Sequence, residues 1–122
     1  MKKLLTILII NYLLFTINNS SAVEQEKNEN KDLLKIGILL PLSGEYENLG
    51  QSFLKAVQLA LYDISDKKIK IYPKDSKANP LDTYKSAKEF EQMGIKVVVG
   101  PIFYENLEKL NEINNITFIS LT

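Results

Sequence analysis

KIGILLPLSG, residues 35–44, decides the fold. The apolar run from Ile36 to Leu40 is too short for a helix and does not alternate with polar residues. It therefore predicts a strand covered on both faces, the pattern of a parallel sheet with helices above and below. Pro41 ends the run, and Leu42 to Gly50 reads as a loop of turn formers.

Downstream the sequence switches between two periods. Gln51 to Ile64 places Phe53, Val57, Ala60, Leu61 and Ile64 at helical spacing, which predicts an amphipathic helix burying that stripe. Ser65 to Lys68 is a turn. Ile69 to Pro73 alternates and contains a proline, which cannot donate to a ladder, so this strand belongs at a sheet edge. Asn79-Pro80-Leu81-Asp82 is a helix start, with a capping side chain, proline in the first turn and an acid near the positive end of the dipole. That helix runs through Tyr84, Ala87 and Phe90 to Gly94. Ile95 to Val99 is a third, buried strand closed by Gly100-Pro101. A helix is expected near Asn106 to Ile113, with Leu107, Leu110 and Ile113 on one face. Ile116 to Leu121 is a fourth strand. The alternation predicts an α/β fold: a doubly wound parallel sheet with right-handed crossovers. A sheet stopping at its fourth strand lacks a covering element, so a fragment of a longer protein is expected.

Upstream, Lys2 and Lys3 precede an apolar run of 14 residues, Leu4 to Ile17, and then Asn18 to Ala22. Charged start, apolar core and small residues form the layout of a secretory signal, with the cut after Ala22. The run is shorter than the roughly 20 residues that span a bilayer. Residues 23–33 begin VEQEKNENKD and have little to bury, so they predict a flexible tether. The expected organisation is a signal over 1–22, a tether over 23–33 and an α/β lobe over 34–122, exported to the periplasm or otherwise outside the cytoplasm.

Composition excludes several functions. Lys plus Arg and Asp plus Glu are both 15, which leaves no basic field for nucleic acid. All the positive charge is lysine, so bidentate arginine clamps are absent. The chain has neither cysteine nor histidine, which removes thiolate chemistry, the usual zinc ligand and the usual general base. With no paired carboxylates placed for acid–base work, the chain is expected to be non-catalytic. No glycine-triplet or phosphate-loop motif occurs, so no cofactor is expected, and Asp63, Asp66 and Asp75 are too scattered for a metal site; solvated acids are the expectation, with Asp75, at a strand end, the only one of them in an arguable site position.

In open parallel sheets, ligands bind beyond the carboxyl ends of the strands. Three loops qualify: Leu42 to Tyr46, Pro101 to Tyr104, and Ser120 to Thr122. Their hydroxyls, amides and rings suit a small polar ligand with an anionic group. Phe103 and Tyr104 equally suit packing on a neighbour, and Ser43-Gly44 equally suits a plain turn.

The opening Ile36 to Gly44, then Leu49-Gly50-Gln51 and Gln58-Leu59-Ala60, resembles type I periplasmic binding proteins of the leucine-binding kind. Asp75, Asn79-Pro80, Val99-Gly100-Pro101 and Ile119-Ser120 fall in order at fitting spacings. The resemblance implies the first of two lobes that close over a ligand. By position it implies ligand contacts at Ser43, Gly44, Tyr104, Ser120 and Thr122, although a small hydroxyl residue is common where Tyr104 stands. It implies a solute-binding component, for amino acids or similar small polar solutes, working with the membrane permease of an ABC importer. The short turn Ser65 to Lys68, with Gly100-Pro101-Ile102-Phe103, resembles instead the penicillin-binding protein activator branch. That branch implies a peptidoglycan synthase as partner.

Overall fold

A computed structural model describes residues 33–121. The expected signal, nearly all of the tether and Thr122 lie outside the described residues.

Four strands and two α-helices alternate: β1 (Leu34–Leu40), α1 (Glu47–Ile64), β2 (Ile69–Asp75), α2 (Pro80–Gln92), β3 (Val97–Val99) and β4 (Thr117–Ile119). Two 3-10 helices, Tyr104–Leu107 and Leu110–Glu112, link β3 to β4. The strands form one parallel sheet in the order β2-β1-β3-β4. β2 is an edge strand, as Pro73 requires: proline leaves one ladder donor missing, which costs least at an edge. Its register sets Leu40 opposite Asp75, so the two strands end level.

Side chains alternate across the sheet, and the two faces are covered differently. Leu39 and Val98 point to one face and pack with Ala87, Phe90, Ile95, Leu110, Ile113 and Ile116 in a dry core. Tyr72, Tyr84, Leu107 and Phe118 seal its margin. Ile38 and Leu40 point the other way and are buried where α1 packs on β1.

α2 begins where its cap signal lies. The Asn79 Oδ1 accepts from the Leu81 and Asp82 N–H groups at 2.8 and 3.3 Å, and Gly94 follows the helix at φ 70°. Three expectations need correction. α1 starts at Glu47 rather than Gln51, because Gly50 sits inside the helix against β1's end: a Cβ there would lie 1.9 Å from the Pro41 carbonyl oxygen. The α1 stripe is not fully buried either. Phe53, Val57 and Leu61 are half-buried, whereas Ala60 and Ile64 are exposed, because α1 packs chiefly on β1. Finally, the segment 104–113 forms two 3-10 turns instead of a helix. Leu107, Leu110 and Ile113 are three apart, the 3-10 period, and ten residues are too few to hold an isolated α-helix.

Candidate functional site

β2 and β3 flank β1 on opposite sides, so the loops leaving β1 and β3 diverge toward opposite faces of the sheet. The gap at their carboxyl ends is the place where open α/β sheets receive ligands.

The loop after β1 lies across this edge as a strap pinned at both ends. On the β2 side, the Asp75 carboxylate accepts the Leu42 N–H at 2.8 Å and the Ser43 hydroxyl at 2.5 Å. The same carboxylate accepts the Lys77 N–H at 2.8 Å, holding a loop in which Lys77 and Ala78 both take left-handed conformations. On the β3 side, Tyr46 meets Phe103 with ring centroids 4.6 Å apart and planes tilted by 57°. Between the pins Gly44 has φ 79° and open space where a side chain would project.

Partial burial pushes the Asp75 carboxyl up. The hydrogen bonds from the Ser43 hydroxyl and from the Lys77, Leu42 and Ser43 backbone outweigh it, and the group lies below its ordinary value. Asp75 is thus no merely solvated acid. Asp75 is not among the ligand contacts that the resemblance implies, although its strand-end position made it an arguable site residue. The available signal was its place at a strand end level with Leu40, two residues before Leu42.

The β3 and β4 ends are tied to each other. Gly100 N–H donates to the Ile119 carbonyl at 2.8 Å, Leu121 N–H to the Pro101 carbonyl at 3.1 Å, and the Ser120 hydroxyl to the same Pro101 carbonyl at 3.4 Å. Ser43, Gly44 and Ser120 therefore share one edge of the sheet. Tyr104 lines a groove of about 540 Å³ with Pro80, Glu105, Leu107, Glu108 and Asn111, between the start of α2 and the 3-10 segment. Phe103 packs on Tyr46, the alternative its sequence context left open. Thr122 lies outside the described residues. Among the described residues no three acidic, histidine or cysteine side chains group to hold a metal.

A parallel sheet with polar loops gathered at its carboxyl edge defines a ligand-binding α/β lobe. The chain belongs to the periplasmic binding protein family, whose model matches residues 34–122. No curated protein matches it. Among solved structures it is similar to full-length LpoA from Haemophilus influenzae, at 26% identity and a TM-score of 0.60 over 72% of this chain and 16% of that one. A periplasmic binding protein from Burkholderia mallei shares the fold at 23% identity and a TM-score of 0.64, over 74% of this chain and 26% of that one. A solute-binding protein from R. palustris, in complex with benzoate, does so at 24% identity and a TM-score of 0.61, over 72% and 27%. The chain spans about a sixth to a quarter of these proteins, and corresponds to their first lobe. Family members are extracytoplasmic and generally bind solutes without catalysis.

Proposed function

We propose that this chain is the first lobe of an exported, non-catalytic binding protein that delivers a small polar solute, amino-acid-like, to an ABC-type importer. The observation that carries this reading is the strap. Ser43 and Gly44 are held at the sheet's carboxyl edge beside the β3 and β4 ends, where Ser120 stands. Hydroxyls and backbone amides there can hold a charged solute without arginine. Tyr104 and Thr122 belong to the same proposed set by sequence position. The segment 1–22 serves as a cleaved signal and 23–33 as a tether. Calorimetry of the complete gene product against amino acids, and against benzoate as the ligand of a similar protein, tests the reading. A saturable signal that weakens in Ser120→Ala, by about 0.5–1.5 kcal/mol for a neutral hydrogen bond, is expected.

A second reading is a regulator of cell-wall synthesis like the penicillin-binding protein activators. The four-residue turn Ser65 to Lys68 and the likeness to LpoA support it. Absence of any solute signal, together with capture of a peptidoglycan synthase on the purified protein, decides for it.

A further inference from the structure

We propose that Asp75 is a positioning residue that commits the Ser43 hydroxyl as a hydrogen-bond acceptor, so that this end of the site selects ligands carrying a donor, an ammonium or amide N–H. The inference rests on the solute-binding reading and adds a polarity to it.

The argument is one of proton count. An ionised carboxylate has no hydrogen to give, so in a bond between Asp75 and Ser43 the serine must be the donor. A hydroxyl has one proton and two lone pairs. With its proton turned to Asp75, the Ser43 oxygen offers a ligand only lone pairs. A carboxylate or carbonyl arriving there meets an acceptor facing an acceptor, with the Asp75 charge just behind. An ammonium or amide N–H meets a partner polarised by that charge. Sequence alone suggested the opposite, a hydroxyl donating to an anionic group. The carboxylate 32 positions further on reverses that sense.

Asp75 is fixed well enough to impose this. It also takes the Leu42 and Lys77 N–H groups, its register partner is Leu40, and the Ser86 hydroxyl donates to its own carbonyl at 3.2 Å. Ser43 cannot turn its proton to a ligand without leaving a charged acceptor short of a donor.

The test is NMR titration of the full chain with matched pairs: L-alanine against propanoate, and L-leucine against isocaproate. Each acid lacks only the amino group of its partner. The wild type should favour each amino acid by roughly ten- to a hundredfold, the equivalent of one hydrogen bond with charge assistance. Ser43→Ala should bring the ratio close to one, and Ser43→Thr, which keeps the hydroxyl, should retain it. Asp75→Asn should lose the preference with Ser43 intact, and should shift the Leu42 and Lys77 amide signals. If the chain binds both members of a pair equally, or if Ser43→Ala keeps the preference, the proposal is wrong. If Ser43→Ala loses it but a folded Asp75→Asn does not, Asp75 is not the positioning residue. Binding of neither member by wild type defeats the solute reading, and donor selection with it. Binding without preference defeats the inference alone.

Discussion

The face of the sheet under α2 and the face under α1 are lined by the same four strands, yet they differ in how much they hide. Under α2, which packs on β1 and β2, helix and 3-10 segment share one core with the sheet, and Phe90, Val98 and Leu39 are sealed. Under α1 one helix lies over β1, and Ile38 and Leu40 are hidden beneath it. Further along that face Val97 and Val99 are half-buried and Ile119 is 50% exposed. α1 itself shows Leu59 at 62% and Tyr62 at 79% exposure. A helix about 10 Å across covers roughly two strands spaced about 4.8 Å apart, so one helix cannot roof four strands. The stability of the described lobe therefore resides on the α2 side.

The largest expected effect breaks that side. Phe90→Ala removes a ring with no exposure, in contact range of Gly37 and within the core that includes Val98. The loss should be about 3–5 kcal/mol. That is comparable with the whole stability of a small domain, so urea denaturation should find little folded protein. A loss under about 1 kcal/mol would show that the α2 face is not the seat of stability.

Next in size is the join between α1 and β1. Gly50→Ala places a methyl 1.9 Å from the Pro41 carbonyl oxygen, and backbone cannot yield as a flexible side chain does. The helix start must lift off the strand end, at about 1–3 kcal/mol. The strap should move with it, so the Tyr46 ring signals should shift in NMR spectra. An unchanged melting midpoint would mean that α1 sits more loosely on β1 than this contact implies.

How far each face could be read from sequence follows the same division. Pro73 announced an edge strand, Asn79-Pro80 announced the start of α2, and Ala87 and Phe90 announced its buried side; each is a local signal with a local cause. The start of α1 gave no such signal, since Tyr46 caps it without a side-chain hydrogen bond. Gly50 read as a loop residue when it is a point of close approach. The 3-10 turns were ambiguous because a spacing of three suits both periods at that length. The strap was illegible for another reason. Ser43 and Asp75 are 32 positions apart, and only the β1–β2 register brings them together.

At the edge where the loops of both faces meet, Asp75→Asn should cost about 1–2 kcal/mol near neutral pH, since a charged acceptor of several donors is replaced by a neutral one. Its pH dependence carries a sign. The carboxyl titrates lower in the folded chain than its ordinary value, which is about 3.9 in an unfolded one. Its stabilisation is therefore fully present above that ordinary value and is lost as pH falls through the folded one. Urea midpoints measured from pH 6 to pH 2.5 should fall less steeply in the variant than in the wild type. Parallel acid limbs would mean that Asp75 does not hold the strap through its charge.

The smallest effect is expected on the outer surface of α1. Leu59 and Tyr62 are apolar by sequence but stand in solvent, so replacing them with serine removes little buried area. Stability should change by less than about 0.5 kcal/mol, mostly through helix propensity. The pair of substitutions separates two explanations of the half-open face. If urea denaturation gives the same midpoint for Leu59→Ser/Tyr62→Ser as for the wild type, the described contacts account for the chain's stability and α1 is held from beneath only. A loss above about 1 kcal/mol would mean that Leu59 and Tyr62 are less exposed in solution than the described contacts imply, and would sink the contrast between the two faces.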